Sequence, residues 1–414
     1  MLTPLDERPG PKHRAADEPA PRDGWRRAWL VGSGYWLVCH LGYAAVQLVA
    51  LRLNGFSVPS GSSNIAALIS TWVRWDGLNY VAIADHGYPA DPQPEFRRYG
   101  ESVLPAWPPG YPLLIRAAGY LLPGDLNFAA LVVSNLATLG MLVVLYRLVE
   151  TELDAGAADR TLLCLLAFPT AFFFATAYSE SVFLLLTFAA LYCARRQQWW
   201  WAGILAGAAS SVRVAGVTIA IAFVLEYLRQ RDFDWRRIRP DALAIGLVPA
   251  GLVAYMAYQW VQYDNPFMFS EAQKAWGRGP IVMPWRPLID SLGDLNFISN
   301  TERAVINTID LALLALAVVL LVLCFLGPWK LRRDQLFLVI AGALPLMISI
   351  LQPIGDPSGP PWQSMNRYIL SCFPIFLILA KLTEHRAVER LVVFVSLPLQ
   401  AGLLLLYLDG QWAG

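Results

Sequence analysis

Two basic segments, ARRQQ (Ala194–Gln198) and RQRDFDWRRIR (Arg229–Arg239), decide how this chain is threaded. Both interrupt long apolar runs, and runs near 20 residues match a hydrocarbon core about 30 Å thick. Arginine and lysine collect on the cytosolic side of membrane proteins, so both segments belong there. Arg26 and Arg27 precede the first apolar run, Trp29–Leu53, and put the start of the chain on the same side. Lys330, Arg332, Arg333, Lys381, Arg386 and Arg390 follow suit. The pattern predicts eleven spans, near 29–53, 126–148, 160–177, 180–195, 199–213, 214–229, 241–262, 303–326, 335–353, 368–383 and 390–408. Residues 109–122 are apolar too. Were they to cross, the two basic segments could not both be cytosolic, so they read as a short interfacial or partly inserted helix.

Composition agrees with this class. Hydrophobic residues make up 56% of the 414 and charged residues 15%, with a mean hydropathy of +0.45; soluble domains carry about 25% charged residues. The expected fold is all-α, a polytopic integral membrane protein of about eleven transmembrane helices. A large first outward loop, residues 54–125, would carry interfacial helices. Residues 1–24, rich in Pro, Asp, Glu and Arg, read as a disordered cytosolic tail, and 25–414 as the transmembrane domain. The first apolar run exceeds a signal-peptide core. A net charge of +1 gives no pull toward nucleic acid. Cys39, Cys164, Cys193, Cys324 and Cys372 all fall in apolar spans, as small core residues do. The basic residues are nearly all arginine, which suits a GC-rich bacterial genome.

One outward stretch breaks the apolar pattern, TWVRWDGLNYVAIADHGYPADPQPEFRRYG (Thr71–Gly100). Trp72, Trp75, Asn79, Tyr80 and Ile83 follow helical spacing, which predicts an amphipathic helix lying in the interface with Asp76 at headgroup depth. Other ionisable residues converge on the same side: Glu180 at a short outward turn, Arg213 at an outward bend, Asp310 two turns into a span, and Arg367 opening another. Charges at membrane depth are costly and usually face a cavity or a partner. Each also has a plainer reading. Glu180 suits a helix N-terminus, Arg213 and Arg367 suit snorkelling to lipid phosphate, and Asp310 suits a structural pairing. Asp91, Glu95, Arg97 and Arg98 fit acceptor contacts or solvation equally well.

A carboxylate at headgroup depth beside arginines suits general-base removal of a hydroxyl proton. The arginines would hold a lipid phosphate and stabilise its charge on departure. That describes glycosyl transfer from a polyprenyl-phosphate sugar, with a lipid or glycan acceptor as partner. A secondary transporter or flippase is the alternative, although no internal repeat emerges. No metal is expected: the loop has no adjacent Asp-x-Asp pair and His86 has no partner at metal spacing.

At these residues a family resemblance enters. RWDGLNYVAIADHGY (Arg74–Tyr88) resembles the loop motif of the PIG-V-type mannosyltransferases, of the glycosyltransferase C superfamily. AFPTAFFFATAYSESVF, followed by a basic pair, tryptophans and an arginine-containing turn, is similar to that family's second signature. NRYILSCFPIFLILA is similar to its C-terminal segment. The resemblance implies an inverting, polyprenyl-phosphate-mannose-dependent enzyme of the cell membrane, with its site on the non-cytoplasmic face. It implies Asp76 as catalytic base, with Arg74, Trp75, Tyr80, His86 and Tyr88 positioning donor or substrate. Glu180 and Arg213 match the acidic and basic positions of the second signature. Phosphate binding by Arg213 and Arg367 follows from their charge and location. Two departures, AWPPGYPLL after the loop and Arg213-Val214-Ala215-Gly216 at the later turn, bear on the acceptor.

Overall fold

A computed structural model describes residues 22–53, 64–92, 101–278, 281–295, 301–354, 361–362 and 364–413. Residues 1–21 of the expected tail, and Glu95, Arg97 and Arg98, lie outside the described residues. Every regular element among the described residues is helical. In chain order these are α1 (Arg22–Leu53), α2 (Asn64–Ser70), α3 (Asp76–His86), α4 (Gly110–Leu121), α5 (Leu126–Glu152) and α6 (Ala155–Ala167). Then come α7 (Glu180–Arg195), α8 (Trp199–Val212), α9 (Ile219–Gln230), α10 (Ala250–Tyr263), α11 (Met268–Ala272) and α12 (Trp285–Gly293). The last are α13 (Thr301–Leu323), α14 (Leu336–Leu351), α15 (Met365–Tyr368), α16 (Pro374–Leu382) and α17 (Arg386–Asp409).

Among the described residues, five helices are long and apolar enough to cross a membrane: Gly24–Arg52, Leu126–Glu152, Ala304–Leu323, Arg333–Leu351 and Arg386–Asp409. Two bent pairs bring the number to seven if each is one span. They are Pro240–Leu247 with Ala250–Tyr263, bent by 49°, and Met365–Ser371 with Pro374–Leu382, bent by 85°. The protein is therefore a multi-pass helical membrane protein. The expected crossings between residues 160 and 229 are met by helices too short to span alone, since each residue adds about 1.5 Å. The run at 160–177 is helical only to Ala167, because Pro169 disfavours helix at Phe168, and continues as a 3-10 turn at Ala171–Phe174. Residues 109–122 form α4, as the threading anticipates.

Local chemistry sets several boundaries. Asp125 and Asp154 start α5 and α6 by accepting hydrogen bonds from Phe128 N at 2.9 Å and Ala157 N at 2.8 Å. Small residues let α8 approach its neighbours closely: a Cβ on Gly207 would stand 2.6 Å from the Leu247 carbonyl oxygen. Such glycines are what bring helix backbones together in a bilayer, where burying apolar surface drives nothing.

The bundle has two polar ends. At one, Arg195 of α7 binds Glu152 of α5, Glu226 of α9 at 3.1 Å and Asp334 at 3.1 Å. Arg27, Arg160 and Lys381 share that end through bonds to Asp159, Glu384 and the Trp329 carbonyl. These are the basic segments that the threading places together. The opposite end carries α2 to α4, the turn before α7, the α8–α9 bend and α15.

Candidate active site

Helix α3 begins at Asp76, four residues past Trp72, where its aromatic spacing suggests a start. Trp75 has φ 52° and ψ −119°, a conformation rare for a bulky residue, and it breaks the helix so that Asp76 is the first residue. Strain of this kind costs roughly 1–3 kcal/mol and collects at functional sites. The anticipated helix through Trp72 and Trp75 is thus corrected: both precede it. The turn closes through Gly77 N to the Arg74 carbonyl at 2.9 Å and Leu78 N to the Trp75 carbonyl at 3.0 Å. At Gly77 a Cβ would make a tight contact, 3.1 Å from the Ala177 carbonyl oxygen. That close approach seats the start of α3 against the turn before α7, with Tyr80 Oη 2.9 Å from Ser179 Oγ.

Four residues distant in sequence meet there. Arg367 Nη1 donates to Asp76 Oδ2 at 2.8 Å, and its Nε lies 3.5 Å from Glu180 Oε1. Arg213 Nη1 donates to the same Glu180 oxygen at 2.8 Å. The chain of charges runs Asp76, Arg367, Glu180, Arg213. Its members differ in access: the side chains of Glu180 and Arg367 are 2% and 6% exposed, and those of Arg213 and Asp76 are 19% and 25%. Glu180 is the buried counter-charge, and Asp76 is the carboxylate open to a ligand.

Arg367 owes its position to the break at Pro374. Its short helix α15 lies at 85° to α16 and aims the guanidinium into a ring of aromatics. The Phe173, Tyr178, Tyr368 and Trp412 ring centres lie 5.6, 5.0, 5.4 and 5.6 Å away. Such faces favour a desolvated cation. The backbone of the preceding residue is gripped from both sides. Asn366 N donates to Asp310 Oδ1 at 2.8 Å, and Thr170 Oγ1 donates to the Asn366 carbonyl at 2.8 Å.

The other residues of the loop motif lie elsewhere. Arg74 donates to the Leu408 carbonyl at 2.9 Å and the Thr71 carbonyl at 3.3 Å, anchoring the loop to α17. Trp75, 43% exposed, meets Trp412 edge to face at 5.4 Å. His86 sits at the far end of α3, about 15 Å along the axis from Asp76 at 1.5 Å per residue. Tyr88 donates to the Trp107 carbonyl at 2.7 Å and packs on Tyr255 and Tyr258; burial pushes its phenol well above the ordinary range. Arg74 and Tyr88 thus tie the loop from outside the charge chain. Asp310 is a cap on α15 and does not join the ion pairs.

Sequence reasoning missed Arg278. Its Nη2 donates to Tyr368 Oη at 2.8 Å. A lone arginine between glycines in a long loop carries no periodic or motif signal, and only the tertiary structure brings it to the site.

The class is then a multi-pass helical membrane protein with a carboxylate–arginine site at one end of its bundle. Comparison with known proteins adds detail. Residues 106–260 match the family model described as dolichyl-phosphate-mannose-protein mannosyltransferase. That stretch holds Glu180 and Arg213. The chain is also similar to GPI mannosyltransferase 2 of two strains of Cryptococcus neoformans var. neoformans serotype D. In one the identity is 29% over 183 residues, 43% of this chain and 43% of that protein. In the other it is 29% over 153 residues, 37% of this chain and 36% of that protein. The chain thus matches less than half the length of these curated relatives.

Proposed function

We propose that the protein is a membrane-embedded mannosyltransferase that moves mannose from a polyprenyl-phosphate donor to a lipid or cell-envelope acceptor, with inversion. The observation carrying this reading is the chain Asp76, Arg367, Glu180, Arg213, whose two ends, a carboxylate and an arginine, are partly exposed and whose middle pair is buried. The mannosyltransferase names of the matched family and relatives supply the sugar and the reaction class.

In the reaction an acceptor hydroxyl lies against Asp76. Its oxygen forms a bond to the anomeric carbon while its proton passes to the Asp76 carboxylate. The bond from that carbon to the phosphate oxygen breaks, and the electron pair leaves with polyprenyl phosphate. Attack opposite the leaving group inverts the anomeric centre. Arg367 orients Asp76 through their shared hydrogen bond, and arginines beside the phosphate stabilise the charge that develops on it. The basic end of the bundle would face the cytosol and the site would face outward, in a cell membrane.

Transfer from radiolabelled polyprenyl-phosphate mannose, in membranes holding wild-type protein or Asp76→Asn, tests the reading. Wild type should transfer, and the variant should lose at least 100-fold, the scale of a positioned general base. Full transfer by Asp76→Asn would refute the mechanism. A folded wild-type protein that transfers nothing would refute the donor.

A further inference from the structure

The arginines that the sequence singles out for phosphate, Arg213 and Arg367, are already engaged. Arg213 is 2.8 Å from Glu180, and Arg367 is 2.8 Å from Asp76. Two carboxylates balance two guanidinium groups, which leaves that set neutral. Arg278 stands next to them with a different balance. It lies between α11 and α12, and among the described residues its hydrogen bond is to a neutral phenol, Tyr368. One of its five N–H groups is spent there.

Tyr368 also ties Arg278 to the others. The guanidinium carbons of Arg367, Arg213 and Arg278 lie 5.4, 5.7 and 5.8 Å from the centre of its ring. Three guanidinium groups around one ring, against two carboxylates, give the cluster an excess of one positive charge. An excess charge in this partly buried site favours the arrival of an anion. A singly charged phosphodiester leaves the occupied site neutral. A guanidinium presents the forked donors that phosphate oxygens accept in pairs.

We propose that Arg278, held by Tyr368, receives the phosphate of the lipid-linked donor, and that Arg213 and Arg367 serve chiefly to set and balance Asp76 and Glu180. The proposal rests on the transferase reading above. It assigns the donor's charged group to a loop residue and gives the site a charge count that binding must complete.

The test uses the full chain, purified in detergent. Arg278→Gln should raise the KM for polyprenyl-phosphate mannose at least tenfold and lower kcat as well, since the charge on the phosphate grows as it leaves, while melting stays near wild type. Arg278→Lys should recover part of that loss. Tyr368→Phe should raise KM by a smaller factor, since it frees Arg278 without removing its charge. The distinguishing measurement is direct binding of sugar-free polyprenyl phosphate. Asp76→Asn, which takes away a balancing negative charge, should bind it severalfold more tightly than wild type while transferring nothing. Asp76→Asn with Arg278→Gln should lose that gain. A merely structural Arg278 would lower thermal stability and kcat together and leave KM in place.

An unchanged KM in Arg278→Gln, alongside normal transfer by wild type, would overturn the inference and spare the transferase reading. Weaker binding by Asp76→Asn would overturn the charge count. Inorganic phosphate inhibiting as strongly as polyprenyl phosphate would overturn the assignment to a lipid-borne group. A wild-type protein that neither binds polyprenyl phosphate nor transfers mannose would remove both the reading and the inference.

Discussion

Glu180 and Asp76 are the two carboxylates of the site, and their surroundings predict opposite consequences of losing each charge. Glu180 is 2% exposed and sits between two arginines, Arg213 at 2.8 Å and Arg367 at 3.5 Å. Glu180→Gln keeps the shape and removes the charge, leaving two buried guanidinium groups close together with one carboxylate, Asp76, to serve them. Removing one partner of a buried pair costs about 3–5 kcal/mol, because the remaining charge stays desolvated. Asp76 is 25% exposed and pairs with one arginine, which keeps Glu180 and the surrounding aromatic faces. Asp76→Asn should therefore cost about 1 kcal/mol, near the upper end for a partly exposed pair. Thermal unfolding in detergent, followed by a fluorescent fusion, reads both. Glu180→Gln should melt far below wild type, and Asp76→Asn should melt close to it. Transfer should divide the other way: Asp76→Asn should be inactive though folded, whereas the surviving fraction of Glu180→Gln should retain measurable turnover at low temperature. A Glu180→Gln variant as stable as wild type would refute the view of Glu180 as buried counter-charge. An Asp76→Asn variant that melts lower than Glu180→Gln would refute the division of roles.

Two further expectations follow from the same geometry. Asp310→Leu strips the acceptor from the buried Asn366 N–H and should cost about 1–3 kcal/mol, the desolvation of an unpaired donor; it should also lower kcat by loosening Arg367. Asp310→Asn keeps an acceptor oxygen and should restore both, and failure of that rescue in melting and turnover would contradict the capping role. The second concerns metal: both site carboxylates are committed to arginines, and among the described residues no three His, Cys, Asp or Glu side chains gather to hold an ion. We propose that transfer is metal-independent, so it should survive chelation by EDTA; loss with chelator and recovery with Mg²⁺ or Mn²⁺ would contradict this.

The legible part of this molecule is that written in local pattern. Hydropathy and arginine placement were enough to separate the two ends of the bundle, because burial in lipid and the asymmetry of positive charge act on contiguous segments. Arg195 joins Glu152, Glu226 and Asp334 at one of those ends. Charges stranded beside apolar runs were legible for the same reason, and Asp76, Glu180, Arg213 and Arg367 do meet. Their pairing was not legible. Which arginine takes which carboxylate depends on the Pro374 break, the close approach at Gly77 and the grip on Asn366, none of which has a periodic signature. Helical spacing misplaced Trp75, because a left-handed backbone at a tryptophan is imposed by tertiary contacts and contradicts local preference.

The motif residues divide along the same line. Arg74, Tyr80 and Tyr88 bond to the Leu408 carbonyl, Ser179 and the Trp107 carbonyl, which ties the loop in place. A loop that must hold one carboxylate at a membrane surface needs such ties, since interfacial backbone has few packing partners of its own. The ties run to α17, to the turn before α7 and to the chain before α4, three separate parts of the bundle. Asp76 is thereby referenced to elements that also carry Glu180 and, through Trp412, the aromatic surround of Arg367. The short broken helices at this end fit the same need. A continuous helix would carry Arg367 away from this end of the bundle, whereas the sharp bend after α15 turns it back to meet Asp76.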